Sequence, residues 1–237
     1  MRQFGPFRNS ILKTLDPDVL ARLKHQPHHL KVNSIMERQG DEIKHLYFLE
    51  DGIGSMTTPF QDGSEAEVGL FGYESVIGVS ALIGTKRSLN RTYMQSDGHG
   101  YTCAIEHAQA EFKRGESFHD LVLRYTQAQL MQTAQTAGCN AKHSVSQRLA
   151  RWLLLCRDRL GSGTLPLTHE FLGHMLCIRR TSVHAAADKF RKQGLIDYTR
   201  GKIVVLNQVE LEAHACECYR VVRNHLSNYT EVEQGAI

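Results

Sequence analysis

The hydrophobic pattern of the chain changes its period near residue 115, and this change limits the folds that the sequence can adopt. From about 31 to 111, short apolar runs alternate with turn residues; the runs are HLYFLE, GIGSMTT, EVGLFG, SVIGV and YTCAIE. Such spacing is typical of an antiparallel sandwich or barrel, with tight turns expected at Asp51-Gly52 and Asp62-Gly63. Beyond 115, apolar residues recur at helical spacing. The sequence therefore predicts an α+β chain.

A long helix is predicted directly after the β-rich part, over about 116–137. Its apolar residues follow one imperfect stripe, which consists of Phe118, Leu121, Val122, Tyr125, Ala128, Leu130, Met131, Ala134 and Ala137. A long stripe between two differently composed regions favours a dimer seam. It also fits a helix that is docked on its own domain. The helix is expected to break at Gly138-Cys139-Asn140.

The segment RRTSVHAAADKFRKQGLI, at 179–196, indicates a helix with two faces. Its apolar face consists of Val183, Ala187 and Phe190, spaced by four and three. Gly194 is expected to end it. A shorter helix precedes it, capped by Thr168 and separated by a break at Cys177-Ile178. Two short helices joined by a tight turn form a helix-turn-helix.

A basic hairpin is predicted after this helix. The segment GLIDYTRGKIVVLN alternates into two strands, Leu195–Tyr198 and Ile203–Leu206, with Arg200-Gly201-Lys202 at the turn. Such a hairpin is a wing, and its basic tip suits a phosphate. Residues 141–220 carry 13 Lys and Arg against 7 Asp and Glu, whereas residues 1–140 carry 14 against 16. This asymmetry favours a polyanionic partner for the C-terminal part.

The front edge of the 179–196 helix carries Arg180, Thr181 and His184. The N-terminus of such a helix can enter the major groove of double-stranded DNA, where an arginine fork matches guanine and discriminates by about 1–3 kcal/mol. Thr168 offers a hydroxyl and nearby backbone N–H groups to a phosphate. The competing interpretation is a ligand-binding protein whose basic helical tail docks a protein partner instead of DNA.

Five segments of the C-terminal part carry a family resemblance; they are QRLARWLLL, LTHEFLGHML, RRTSVHAAADKF, GLIDYTRGKIVVLN and CECY. Together, over about 145–220, they resemble the DNA-binding half of bacterial Crp/Fnr regulators, the family of the cyclic-AMP receptor and the fumarate–nitrate regulator. Residues 30–140 match more loosely, through the strand order, FGYESVIGVSALIG and the long helix. The resemblance implies an antiparallel, cyclic-nucleotide-binding-like β-roll over 1–115, a dimerisation helix over 116–140 and a winged helix-turn-helix over 141–237.

The resemblance also implies a function: a dimeric transcription regulator that reads a palindrome in double-stranded DNA, with RNA polymerase as a further candidate partner. The expected base contacts are Arg180, Thr181 and His184. The expected phosphate contacts are Thr168, Arg179, Arg200 and Lys202. The family often has a glutamate directly after the arginine of the second helix. Thr181 stands at that position here, so the usual half-site of the family is not carried over.

The nucleotide pocket of the family uses a glycine-glutamate pair, and later an arginine followed by a small hydroxyl residue. By resemblance these positions are Gly78, Val79, Arg91 and Thr92. Val79 replaces the glutamate that holds the ribose hydroxyl, which costs about 1–3 kcal/mol because a polar group loses its partner. Cyclic AMP is therefore not the expected ligand. The β-roll is expected to serve an unidentified small-molecule effector.

The cysteines are scattered along the sequence at Cys103, Cys139, Cys156, Cys177, Cys216 and Cys218. Free, buried thiols are expected. An iron–sulfur cluster like that of the oxygen-sensing branch needs several N-terminal cysteines; none precedes Cys103, so no cluster is expected. Cys216-x-Cys218 alone lacks the second ligand pair of a zinc site, so no metal is expected.

Other function classes find little support in the sequence. No run of about 18 apolar residues predicts a membrane-spanning helix, and Met1–Phe4 is not followed by the apolar segment of a secretory signal. A cytoplasmic protein is expected. No nucleophile elbow, phosphate loop or metalloprotease spacing is present, so an enzyme is not expected.

Overall fold

The computed structural model describes residues 7–167, 169–199 and 201–231. Up to residue 112 the elements are α1 (Ser10–Thr14), α2 (Pro17–Leu23), β1 (Gln26–Leu30), β2 (Ile35–Glu37), β3 (His45–Leu49), β4 (Gly54–Pro59), β5 (Glu65–Phe71), β6 (Val76–Ile77), α3 (Ser80–Ile83), β7 (Arg91–Met94), β8 (Gly98–Ala104) and α4 (Ile105–Phe112). The remaining elements are α5 (Ser117–Lys142), α6 (Val145–Leu160), β9 (Thr164–Leu165), α7 (His169–Met175), α8 (Arg180–Lys192), β10 (Ile196–Thr199), β11 (Lys202–Val205), α9 (Gln208–His214) and α10 (Cys218–Asn228).

The chain forms two compact units. Of the described residues, the first unit comprises 7–55, 71–131 and 224–231, and the second comprises those within 56–70 and 132–223. Each unit has its own buried core: Leu46 and Phe48 are fully buried in the first, and Leu153 and Phe190 in the second.

Two four-stranded sheets form the N-terminal β-roll, in the orders β1-β8-β3-β6 and β2-β7-β4-β5. The prediction of an antiparallel β-roll is confirmed. The β-rich part begins earlier than the expected residue 31, because Gln26–Leu30 pairs antiparallel with β8. His28 and His29 are exposed on this strand.

The long helix α5 is confirmed, but its expected break at Gly138-Cys139-Asn140 is wrong, since the helix continues to Lys142. Cys139 is fully buried, and its carbonyl accepts a hydrogen bond from the His143 backbone N–H at 3.0 Å. These interactions offset the helix cost of a glycine, about 1 kcal/mol. Of the helices in the described ranges, none combines the length and apolarity that crossing a bilayer requires.

The second unit is built around α6, whose first turn is closed by a capping box between Ser144 and Gln147. Gly161, in the left-handed region at φ 63°, ends the helix. Helices α8 and α9 pack against α6, and α7 packs against α8. A small sheet of order β10-β11-β9 completes the unit. Strand β9 was not predicted; its two residues pair with Ile203 and Val204.

Candidate nucleic-acid interface

The turn between α7 and α8 is tight, and Gly173 makes it possible. The backbone N–H of Ile178 donates to the Gly173 carbonyl at 3.0 Å, and Cys177 has a positive φ of 49°. A Cβ on Gly173 would lie 3.1 Å from the Ile178 carbonyl oxygen and 3.5 Å from the Arg180 backbone nitrogen. Glycine therefore permits the close approach that sets the start of α8 against α7.

Substitution of this glycine tests that packing. We expect Gly173→Ala to destabilise the second unit by about 1–3 kcal/mol, because the crowded neighbours are backbone atoms. Gly138→Ala is the matched control: Gly138 is also helical, and nothing lies within 4 Å of the position of a Cβ there. The control should be stabilising by roughly 0.5–1 kcal/mol. Thermal unfolding measures both, and equal effects would refute the role of Gly173.

Helix α8 has one buried face and one exposed face. Val183, Ala187 and Phe190 are fully buried, as predicted, and Gly194 follows the helix at φ 70°. Arg180, Thr181 and His184 are all exposed. The first turn contains no acidic residue, so no carboxylate of that turn lies at the positive end of the helix dipole. The front of α8 is therefore accessible to an anionic partner.

The basic residues of α8 differ in their partners. Lys192 forms an ion pair with Asp188 at 2.8 Å, which lowers the pKa of the Asp188 carboxyl and raises the pKa of the Lys192 amine. Arg191 pairs with Asp197 at 3.0 Å. Among the described residues, neither Arg179 nor Arg180 forms an ion pair. Arg179 and Arg180 therefore place unneutralised positive charge at the front of the helix.

The predicted hairpin is present as β10 and β11. Thr199 pairs with Lys202, and Gly201 takes a positive φ of 77° in the turn. Lys202 is exposed. The ring of His184 lies edge-on to that of Tyr198 in β10, with 6.3 Å between centroids, so the helix front contacts the hairpin. Two predicted phosphate contacts, Thr168 and Arg200, lie outside the described residues.

The four predicted effector-pocket residues lie at two places in the β-roll. Gly78 follows β6 at φ 101°, where a Cβ would come within 2.8 Å of the His45 carbonyl oxygen, and Val79 after it is buried. Arg91 and Thr92 belong to β7, in the other sheet.

Both β7 residues already have partners. The Arg91 guanidinium lies 4.9 Å from the centroid of the Tyr93 ring. The buried Thr92 hydroxyl donates to Glu37 at 2.9 Å. Burial raises the pKa of the Glu37 carboxyl, and donation from Thr92 and Ser88 partly counters this. The sequence did not predict this half-buried carboxyl beside the pocket residues.

The sequence also did not predict a group of three thiol side chains and one imidazole side chain. Cys139, Cys216 and Cys218 form a buried cluster, and His143 lies beside it. Cys139 is 77 residues from Cys216 in sequence, and the fold brings it beside the Cys216–Cys218 pair. The available signal was the Cys139-x3-His143 spacing, which places two side chains on one helix face, but nothing in the sequence connected it to Cys216-x-Cys218.

Comparison with known proteins agrees with this architecture. The sequence model of the Crp-like helix-turn-helix domain matches residues 147–214. The Global nitrogen regulator of Synechocystis sp. is 27% identical over 185 residues, covering 73% of this chain and 80% of that protein.

Two solved structures share the fold. FixK2 from Bradyrhizobium japonicum has a TM-score of 0.68 at 14% identity, over 81% of this chain and 98% of that chain. TTHB099, a transcriptional regulator of the CRP family from Thermus thermophilus, has a TM-score of 0.66 at 19% identity, over 79% and 96%. The matched sequence model identifies residues 147–214 as a Crp-like helix-turn-helix domain, and the two solved structures show that the chain has the fold of Crp/Fnr-type proteins.

Proposed function

We propose that this chain is a Crp/Fnr-type transcription regulator that acts in the cytoplasm as a homodimer and inserts the front of α8 into the major groove at each half of a palindromic site. One observation carries this proposal: the side chains at the front of α8 are exposed, whereas the opposite face is buried. The N-terminal turns of a recognition helix face base edges in this arrangement. The division into a sensor over 1–115, a dimerisation helix over 116–140 and a DNA-binding part over 141–237 belongs to the same proposal.

The roles of the individual side chains follow from chemistry and position. Arg180 presents a fork of donors to guanine, and Thr181 and His184 offer further polar contacts to the neighbouring bases. Arg179 precedes the helix, and Lys202 lies on the hairpin; both are exposed and suit phosphate oxygens. Thr168 and Arg200 complete the proposed phosphate contacts.

Dimerisation is supported by a second face of α5. The residues predicted as one stripe divide in the structure. Phe118, Leu121, Val122, Tyr125 and Ala128 are buried. Six of the exposed positions follow one another at spacings of four and three; they are Leu123, Gln127, Leu130, Ala134, Ala137 and Ala141. We call this set the α5 seam. Leu123 and Leu130 are 44% and 69% exposed, which is the heptad pattern of a two-helix interface.

The β-roll is the proposed sensor, and its effector is a small molecule other than cyclic AMP. Val79 has no group to accept the ribose hydroxyl, and Thr92 already donates to Glu37. A surface that recruits RNA polymerase is a further proposed feature, for which no residues are assigned.

Footprinting of the purified full chain on the DNA upstream of its own coding region tests the proposal. We expect protection of an inverted repeat whose half-sites are about 34 Å apart, one helical turn. A chain that binds no DNA specifically, with or without cell extract to supply an effector, would contradict it. That result would favour the alternative of a ligand-binding protein whose basic tail docks a protein partner.

Two alanine variants then separate base contacts from phosphate contacts. Arg180→Ala should weaken binding by about 1–3 kcal/mol per half-site and relax the preference at one base pair. Lys202→Ala should weaken binding to all sequences alike. It should also lower the slope of log K against log salt concentration by about one counterion per half-site. Titrations against the natural site and single-base variants at several salt concentrations measure both effects. If both variants bind like the wild type, the placement of α8 is wrong.

A further inference from the structure

The side chains of Cys139, His143, Cys216 and Cys218 converge on one point within the second unit. Their ligand atoms all lie within 4.8 Å of one another. Cys139 lies in the last turn of α5 and His143 directly follows that helix, while Cys216 and Cys218 flank Glu217 where α9 gives way to α10. Two short-range pairs, far apart in sequence, thus meet in space.

We propose that these four residues bind one Zn²⁺ ion through three thiolate sulfurs and the histidine Nδ1. The Sγ atoms of Cys139 and Cys216 are 3.6 Å apart, and the Sγ of Cys218 lies 3.6 Å from Nδ1 of His143. In a tetrahedral site with Zn–S of about 2.3 Å and Zn–N of about 2.0–2.1 Å, neighbouring ligand atoms are about 3.6–3.8 Å apart. Two of the six distances between ligand atoms therefore match a tetrahedral site, and none of the six exceeds 4.8 Å.

The ligand set and its compactness select the metal. Three sulfurs and one imidazole nitrogen form a Cys3His set, which is typical of structural zinc and leaves no position for water or substrate. An iron–sulfur cluster holds several metal atoms and bridging sulfides between its ligands, so its thiolates must stand further apart than this group allows. Zinc binding releases the three thiol protons to solvent and forms four metal–ligand bonds.

Groups around the four side chains are arranged as the outer shell of a metal site. The second imidazole nitrogen of His143, Nε2, lies 3.4 Å from a carboxylate oxygen of Glu217, which fixes the ring and leaves Nδ1 directed at the thiols. The Gln135 amide donates to the Cys218 sulfur at 3.0 Å. Hydrogen bonds of this kind stabilise metal-bound thiolates and orient the ligands.

The surroundings also compensate the charge of the site. Three thiolates and Zn²⁺ together carry one negative charge. Arg151 is buried and interacts electrostatically with Cys139, as does the buried Arg148. Cys139, Cys216 and Cys218 are themselves at most 4% exposed, which keeps water away from the bonds. The metal thus fastens the end of α5 to the start of α10.

Metal content tests this proposal independently of DNA binding. Full-length protein from zinc-supplemented cells, purified in reducing buffer without chelator, should contain about one zinc ion per chain by mass spectrometry. Cys218→Ser should lose at least about nine-tenths of it. Cys177→Ser is the matched control, because Cys177 is an exposed cysteine outside the cluster, and it should retain the full content. Equal zinc in both variants, or a wild-type chain purified without zinc, would overturn the proposal.

Cobalt gives a readout of the ligands themselves. When Co²⁺ alone is added to chelator-treated wild-type protein, we expect one equivalent to produce the visible absorption bands of tetrahedral cobalt bound by thiolates. The wild-type spectrum tests the site even if Cys218→Ser does not fold. Absorption bands of octahedral cobalt would refute the site. A disulfide between Cys139 and Cys216 in protein that is kept reduced would refute it as well. Zinc should also raise the unfolding temperature of the chelator-treated wild type.

Discussion

Leu130→Glu is expected to be a monomer in solution and to lose most of its affinity for a palindromic site. Leu130 is the more exposed of the two leucines of the α5 seam, at 69%. In a two-fold symmetric helix pair this position faces the partner helix, so the substitution places a carboxylate in an apolar contact. A monomer engages one half-site, and the loss of the second should lower affinity by about 10²–10⁴-fold. Sedimentation velocity and DNA titration measure the two effects.

The control for this variant is Leu89→Glu. Leu89 is 65% exposed and lies in the loop before β7, outside α5, so the same substitution there should preserve the dimer and its affinity for DNA. A dimeric Leu130→Glu chain would show that the α5 seam is not the interface. That result would leave the proposed role of the helix-turn-helix in DNA binding intact, because the charges at the front of α8 do not depend on the α5 seam.

Local periodicity was enough to predict the architecture of the DNA-binding part. The apolar residues of α8 recur at helical spacing, and the structure buries all three of them. Gly194 and Gly201 sit at positive φ, which few other residues adopt without strain. These features are encoded within a few residues, so a single sequence reveals them. The exposure of Arg180 and Thr181 follows directly, since they lie on the opposite side from the core.

Features that join distant segments could not be predicted in the same way. The long apolar stripe of α5 was treated as one surface, whereas Tyr125 is buried and Leu130 is exposed. Only the tertiary packing determines which residues of such a stripe are buried within the chain and which remain exposed. The partner of Thr92, Glu37, is 55 residues away, and Cys216 is 77 residues from Cys139. Periodicity carries no information about pairs at these separations.

Phe190→Ala is expected to lower the stability of the second unit more than any exposed substitution in α8. The Phe190 side chain is fully buried and lies edge-on to His214 of α9, with 5.7 Å between ring centroids. Its carbonyl accepts a hydrogen bond from the Leu195 N–H at 3.0 Å, at the transition from helix to hairpin. Removing the ring leaves a cavity between α8 and α9, which should cost about 3–5 kcal/mol.

For a unit of this size the corresponding fall in unfolding temperature is roughly 15–30 °C. Lys189→Ala is the control, since Lys189 is exposed on the adjacent position and should change stability by less than about 0.5 kcal/mol. Because Phe190 faces the core and not the DNA, the variant should regain specific binding at temperatures where it remains folded. An unchanged unfolding temperature would show that α8 does not contribute its apolar face to the core. A folded variant that does not bind DNA would show that Phe190 positions Arg180 and Thr181 through the helix.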